Sequence, residues 1–257
     1  MSLYDRLLAF TGVIPPFLLL WFAEAAERRI REPTNGYRYR VFAAAGLASI
    51  PIVWIERFLS VIAGYSPSRT AGLFDAFVVS ASVEECGKVA CLFLLTRGAL
   101  APRTRYGAFL YALHASMGFA LVENVIALLK TPDIQTFSDR FFLRAYFSVP
   151  VHLVATGLLG ILWARRRFDR GAVGLLGGLA IAVAIHGSFN ALLFTIDNLA
   201  AEDDTLRIVC AATAMAIPLL GVLVLRWLST RLRADDRRDE ASTGRPAPLE
   251  PAKLATP

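Results

Sequence analysis

Glu84, Glu85 and Lys88 stand inside the otherwise apolar run Ser80 to Leu95, SASVEECGKVACLFLL. An ionised group at the centre of a membrane-spanning helix costs roughly 2.5 to 3.5 kcal/mol, so charges there serve a functional path or pair internally. Lys88 lies four residues after Glu84 and three after Glu85. On a helix it can pair with either carboxylate but hardly with both equally. One carboxylate is then left for chemistry, while a structural ion-pair cluster is the plainer alternative for this segment taken alone.

Three later apolar runs hold comparable residues. In GFALVEN, Phe119 and Glu123 share a helical face with Asn124 alongside. In RAYFSVPVHLVATG, Arg144, Ser148, His152 and Thr156 fall at successive i,i+4 steps, and Pro150 should loosen the helix just before His152. In HGSFN, His186 and Asn190 occupy one face. Plainer roles exist for each: Arg144 as a snorkelling interfacial arginine, Asn190 as inter-helix hydrogen-bond glue. His114 falls on a different face from Glu123 and reads as a satisfied structural histidine.

Carboxylates, two imidazoles, a carboxamide and a lysine are what hydrolysis of an amide inside a membrane requires. A glutamate can activate water, an imidazole can share its proton, and His or Asn donors can stabilise the oxyanion. Ser148 and Ser188 lack a GxSxG-like setting, and the cysteines have no evident base partner. Glu84, Glu123, His152 and His186 could alternatively hold zinc, although no HExxH is present.

The elements that must position these residues are legible from composition. The chain has 257 residues, 56% hydrophobic and only 19% charged. Apolar stretches recur along it, the mark of an all-α polytopic membrane bundle. About seven spans are expected: Leu7 to Ala23, Val41 to Gly64, Gly72 to Leu95, Tyr106 to Leu129, Phe141 to Trp163, Ala172 to Ile196 and Leu206 to Leu228. The sequence Ala23-Glu24-Ala25 resembles a signal-peptidase site, but the basic ERRIRE that follows resists translocation, so the first helix is expected to be retained. Cys86, Cys91 and Cys210 lack CxxC spacing and read as small buried residues.

Arginine is concentrated in alternate loops: Arg28 to Arg40, Arg97 to Arg105 and Arg165 to Arg170. The positive-inside rule then gives N-terminus out and C-terminus in, in a multi-pass protein of the cell (inner) membrane. The net charge of +6 is explained by these loops, and nucleic acid is not an expected partner. A domain of residues 1–230 and a disordered cytoplasmic tail of 231–257, polar and Pro-rich, complete the expected organisation. With alternating helix directions, Glu84 lies about 12 residues, or ~18 Å, from the outer boundary. Glu123, His152, His186 and Asn190 fall within about 10 Å of that level. Independent structural glue has no need to share a depth, so one functional site is expected.

EExxK (Glu84 to Lys88), FxxxEN (Phe119 to Asn124), Arg144 eight residues before His152, and HxxxN (His186 to Asn190) occur in this order. Together they resemble the PrsW family of intramembrane proteases, as do PPFLLLWF and Glu32-Pro33 near the start. The related type II CAAX prenyl endopeptidases carry EExxxR, FxxxH and HxxxN; Lys88 and Glu123 depart from that pattern and set prenylated substrates aside. The resemblance implies cleavage of a single-span membrane protein, such as an anti-sigma factor, near the extracytoplasmic face. Catalytic residues would be Glu84, Glu85, Glu123, His152, His186 and Asn190, supported by Lys88, Asn124 and Arg144. Glu84 is expected to act as base with His152 sharing its proton, without a required cofactor, and with His186 and Asn190 at the oxyanion. A proton-coupled transporter and a non-catalytic membrane scaffold are the competing classes.

Overall fold

The computed structural model describes residues 10–25, 35–62, 69–199 and 203–243. Among these, all regular structure is helical. Helix α1 (Ile14–Ala25) is entered through a 3₁₀ turn, and α2 covers Asn35–Ile62. Helix α3 joins Arg69–Phe74, a π-helical stretch Asp75–Ser82 and Val83–Leu95. Next come α4 (Arg105–Leu129) and α5, which joins Ile134–Leu143, a second π stretch Arg144–Ser148 and Val149–Asp169. Helices α6 (Leu175–Asp197) and α7 (Asp204–Thr243) complete the bundle.

Five of these helices, α2, α4, α5, α6 and α7, are long and apolar enough to cross a membrane. Helix α1 contributes a shorter apolar segment, Thr11–Ala25. The protein is a helical membrane bundle, as its hydropathy requires. Glu32-Pro33, the first arginine cluster at 28–31 and the outer ends of the first two expected spans lie outside the described residues.

Helix α4 is the axis of the bundle. Every residue from Tyr106 to Ala120 is buried, and a helix apolar all round belongs inside its neighbours. It packs against α1, α2, α5 and α7, while α3 lies between α2 and α6 and α5 contacts both α4 and α6. Lipid tails are as apolar as leucine, so close helix approach depends on small residues. A Cβ at Gly118 would collide with the Phe42 carbonyl, one at Gly160 with Ala112, and one at Gly187 with the Phe77 ring.

The last helix corrects the expected tail boundary. Residues from Arg231 to Thr243, read from the sequence as disordered, continue α7. The reason is a charged clamp on the end of the bundle where α4 begins and α5 finishes. Asp236 Oδ1 accepts from the Arg105 backbone N–H (3.0 Å), and its Oδ2 accepts from that of Tyr106 (2.9 Å). These are amide donors that the first turn of a helix leaves without intrahelical partners. Arg105 also donates to Asp169 (Nε, 2.8 Å) and Asp239 (2.7 Å), and Arg165 lies 2.8 Å from both Asp169 and Asp235. Composition marked this segment as polar; it could not show that its acids meet a waiting helix terminus. Residues 244–257 lie outside the described residues.

The cysteines match expectation only in part. Cys210 is buried, Cys91 is partly so, and Cys86 is exposed on the outer face of α3.

Candidate active site

The residues singled out in α3, α4, α5 and α6 converge. Glu85, fully buried, is saturated: its Oε1 accepts from Lys88 Nζ (2.6 Å) and His186 Nδ1 (3.0 Å), and its Oε2 from Thr156 Oγ1 (2.9 Å). Lys88 leans to Glu85 and stays 3.6 Å from Glu84 Oε2, so the choice between carboxylates goes to the i,i+3 partner.

Glu84, the adjacent residue, is in the opposite condition. Its Oε1 accepts one bond, from Ser80 Oγ at 3.2 Å, and Ser80 in turn accepts from Asn190 Nδ2 at 2.9 Å. Its Oε2 is buried without a hydrogen-bond donor. Around that oxygen stand Lys88 Nζ at 3.6 Å, His152 Nδ1 at 3.7 Å and His186 Nε2 at 3.9 Å. Each is too far for a direct bond, and the three nitrogens surround one carboxylate oxygen.

Tautomers follow from the partners. Lysine only donates, so Lys88 Nζ at 2.9 Å makes His152 Nδ1 an acceptor. The ring proton therefore sits on Nε2, 2.9 Å from Glu123 Oε2. His186 Nδ1 faces a carboxylate and carries its proton there, which leaves the Nε2 lone pair turned toward Glu84. The two rings meet edge to face with centroids 4.7 Å apart. Glu123 is fixed from its other side by Arg144 Nη2 at 2.8 Å; Arg144 Nε donates to Asn124 Oδ1 (2.5 Å), and Asn124 Nδ2 donates to the Gly12 carbonyl (3.1 Å). Phe119 closes the floor, its ring 4.6 Å from Lys88 Nζ.

Both π stretches end just before site residues, at Ser82 before Glu84 and at Ser148 before His152. Such widened turns are frequent at functional sites. In α5 the turn precedes Pro150, which has no N–H to offer, and the Val149 amide reaches the Arg144 carbonyl. In α3, Ser82 Oγ donates to the Phe77 carbonyl at 2.6 Å, occupying an acceptor in the widened turn.

Comparison with known sequences bears directly on this arrangement. The pattern of the PrsW family of intramembrane metalloproteases matches residues 19–223, most of the chain. The chain belongs to the PrsW family. It is also 25% identical over 192 residues to Protease PrsW of Bacillus subtilis, covering 73% of this chain and 83% of that protein. No solved structure matches. As a PrsW-family intramembrane protease, the protein has its hydrolytic centre in the bundle, and the convergent acids and imidazoles are the candidate for it.

The family description makes a metal relevant, and the donor set fits one. Glu84, His152 and His186 each bring a ligand atom to within 4.8 Å of the others. Carboxylate oxygen and imidazole nitrogen are usual zinc ligands, and each ring has a carboxylate against its other nitrogen, the support that ligating histidines commonly receive. Glu123, counted from sequence among four candidate ligands, is not in this group; it faces His152 Nε2 and Arg144 instead.

Three residues of the site received no role in the sequence reading. Ser80 bridges Asn190 to Glu84 and Thr156 completes Glu85, although both lay in stretches already marked. Glu56 of α2 adds a further carboxyl that acts electrostatically on Glu84, and its Oε1 is buried with no hydrogen-bond partner. An acid near the end of an apolar run was its only signal, and interfacial charges give the same one. His114 lies apart, with Nδ1 2.7 Å from the Leu110 carbonyl and Nε2 2.9 Å from Glu24 Oε1.

Proposed function

We propose that this protein is an endopeptidase of the cell membrane that hydrolyses a single-span, anti-sigma-factor-like substrate near its extracytoplasmic face. The observation that carries this reading is the buried, donor-free Oε2 of Glu84 facing two imidazole nitrogens. A water taken up by that oxygen gives its proton to Glu84 as it attacks the scissile carbonyl. The carboxamide of Asn190 donates to the developing oxyanion, and His186, held through Nδ1 by Glu85, adds a second donor there once its Nε2 has taken up a proton. Glu123 and Arg144 hold His152 in one tautomer, and Lys88 balances part of the negative charge. The ammonium already seated on His152 Nδ1 favours this glutamate-and-histidine form.

A zinc form is the second reading, favoured by the carboxylate behind each imidazole. Zinc held by Glu84, His152 and His186 would lower the pKa of bound water and polarise the carbonyl. Glu85 and Glu123 would then orient the two rings, and Ser80 would fix the Glu84 carboxylate through Oε1.

Co-expression with membrane-anchored anti-sigma candidates tests the activity: wild type should release the extracytoplasmic part, and Glu84→Ala should not. Equal processing by both would remove the protease centre from Glu84. Metal content of the purified protein, with cleavage measured after chelation, separates the two forms; full cleavage by metal-free protein excludes zinc.

A further inference from the structure

Glu84 has two oxygens, and they are not equally free to take a proton. Oε1 already receives the Ser80 hydroxyl hydrogen at 3.2 Å, whereas Oε2 has no donor. Ser80 in turn accepts from Asn190 Nδ2 at 2.9 Å. The direction of this relay is fixed, because a carboxamide nitrogen only donates and an ionised carboxylate only accepts. The backbone brings the three residues together. Ser80 lies in the π stretch of α3, four residues before Glu84, and its carbonyl accepts from the Val83 amide. Helix α6 packs against that stretch, and it comes close because Gly187 has no Cβ to meet the Phe77 ring. Asn190, three residues further along α6, then reaches Ser80.

We infer that Ser80 is a positioning residue of this centre, whose hydroxyl ties the base Glu84 to the oxyanion donor Asn190 and directs the proton of the attacking water to Oε2.

The inference rests on the protease reading with Glu84 as base. The Ser80 bond holds the carboxylate against rotation, which keeps Oε2 between His152 Nδ1 at 3.7 Å and His186 Nε2 at 3.9 Å. A proton arriving at Oε1 would meet the Ser80 hydrogen; at Oε2 it meets open lone pairs. As the water attacks, its O–H electron pair forms the bond to the scissile carbon and the carbonyl π pair moves onto oxygen. The proton stays on Oε2 until the departing amine takes it. Ser80 engages one N–H of the Asn190 carboxamide and leaves the second for the oxyanion. Base and oxyanion donor are therefore spaced by a single hydroxyl oxygen, and a preorganised donor acts only when it is held where the charge develops.

The test uses the full chain in phosphatidylethanolamine–phosphatidylglycerol vesicles, with a membrane-anchored anti-sigma candidate that wild type cleaves on co-expression. Ser80→Ala should lower kcat by about 10- to 100-fold, the worth of one hydrogen bond to a charged group, and leave KM nearly unchanged. Ser80→Thr keeps the hydroxyl and should recover most of the rate. In Asn190→Ala protein the relay is already cut, so Ser80→Ala should cost a smaller factor there than in wild type. Circular dichroism and thermal unfolding check that each variant is folded. An unchanged kcat in folded Ser80→Ala, no recovery in Ser80→Thr, or factors that simply multiply in the double variant overturns the proposal. Complete loss of cleavage in folded Ser80→Ala overturns it too, since Ser80 would then be the nucleophile. Glu84→Ala keeps the two readings apart. If it cleaves as wild type does, the protease centre is misplaced; if it is inactive while Ser80→Ala is not slowed, only the positioning role falls.

Discussion

Two charged clusters hold this bundle together, and they are built on opposite terms. In the clamp of Arg105, Asp169 and Asp236, every group named has a close partner, and the geometry ties three helix ends to one another. In the membrane interior, Glu85 is equally saturated, but Glu84 beside it keeps an oxygen with no donor at all. A buried polar atom without a partner costs about 1–3 kcal/mol, and a fold tolerates such a cost where chemistry uses it. The comparison separates charges that stabilise from a charge held ready.

The largest expected effect follows from breaking the unsaturated side. Glu84→Gln should lower the cleavage rate by ~10²–10⁴, the usual worth of a positioned general base, while leaving thermal unfolding in detergent almost unchanged. A large loss of Tm with proportional loss of activity would instead make Glu84 a structural member of the cluster. Glu85→Gln reverses the pattern: it leaves the fully buried Lys88 without its closest counter-charge, and removing one partner of a buried pair costs about 3–5 kcal/mol. Thermal unfolding should fall sharply there, and Lys88→Met in the same chain should recover part of it.

Smaller effects sharpen the other half. Asp236→Ala removes the acceptor of two backbone amides at the start of α4, with an expected loss of ~0.5–2 kcal/mol. Its activity per folded molecule should stay at the wild-type level, since nothing in the clamp reaches the acids. The smallest change is expected at Asp133, which caps α5. Its carboxylate accepts from the Thr136 amide at 2.8 Å and from the Thr136 hydroxyl at 2.8 Å. Those bonds, the amide first, hold its carboxyl below the usual aspartate range. Its contribution is therefore present above the unfolded-state value and lost as pH falls through the lower folded-state value. Asp133→Ala should give a slight drop in Tm near neutral pH that vanishes in strong acid; a pH-independent drop would mean packing rather than charge.

Much of the site was legible because a membrane makes each charge conspicuous. Glu84, Glu85, Lys88, Glu123, His152 and His186 interrupt apolar runs, and counting residues from the ends of those runs placed them at one depth. The division of labour between neighbours was not legible. Glu84 and Glu85 have the same side chain, and only the positions of Thr156, His186 and Ser80 decide which of them is filled. Asn190 shows the same limit: its spacing to His186 suggested an oxyanion donor, while the fold also ties it through Ser80 to Glu84. Helix α7 shows it from the side of the fold, since DDRRDE reads as solvated until the open amides of α4 are placed against it.

The two π turns have a further consequence for how such a site tolerates change. A π turn accommodates one residue more than the α-helical turn it replaces, so α3 and α5 each contain a local shift of phase. C-terminal to it, Glu84 and His152 stay in step with α4 and α6; N-terminal to it, the helix presents a rotated face to its surroundings. Deleting one residue within 75–79, ahead of Ser80, would restore a regular helix and swing the N-terminal end of α3 by about a quarter turn, with the acids unmoved. Insertions and deletions there would alter what meets the rim of the bundle at that end while sparing the centre. The rim and the acids can thus diverge separately.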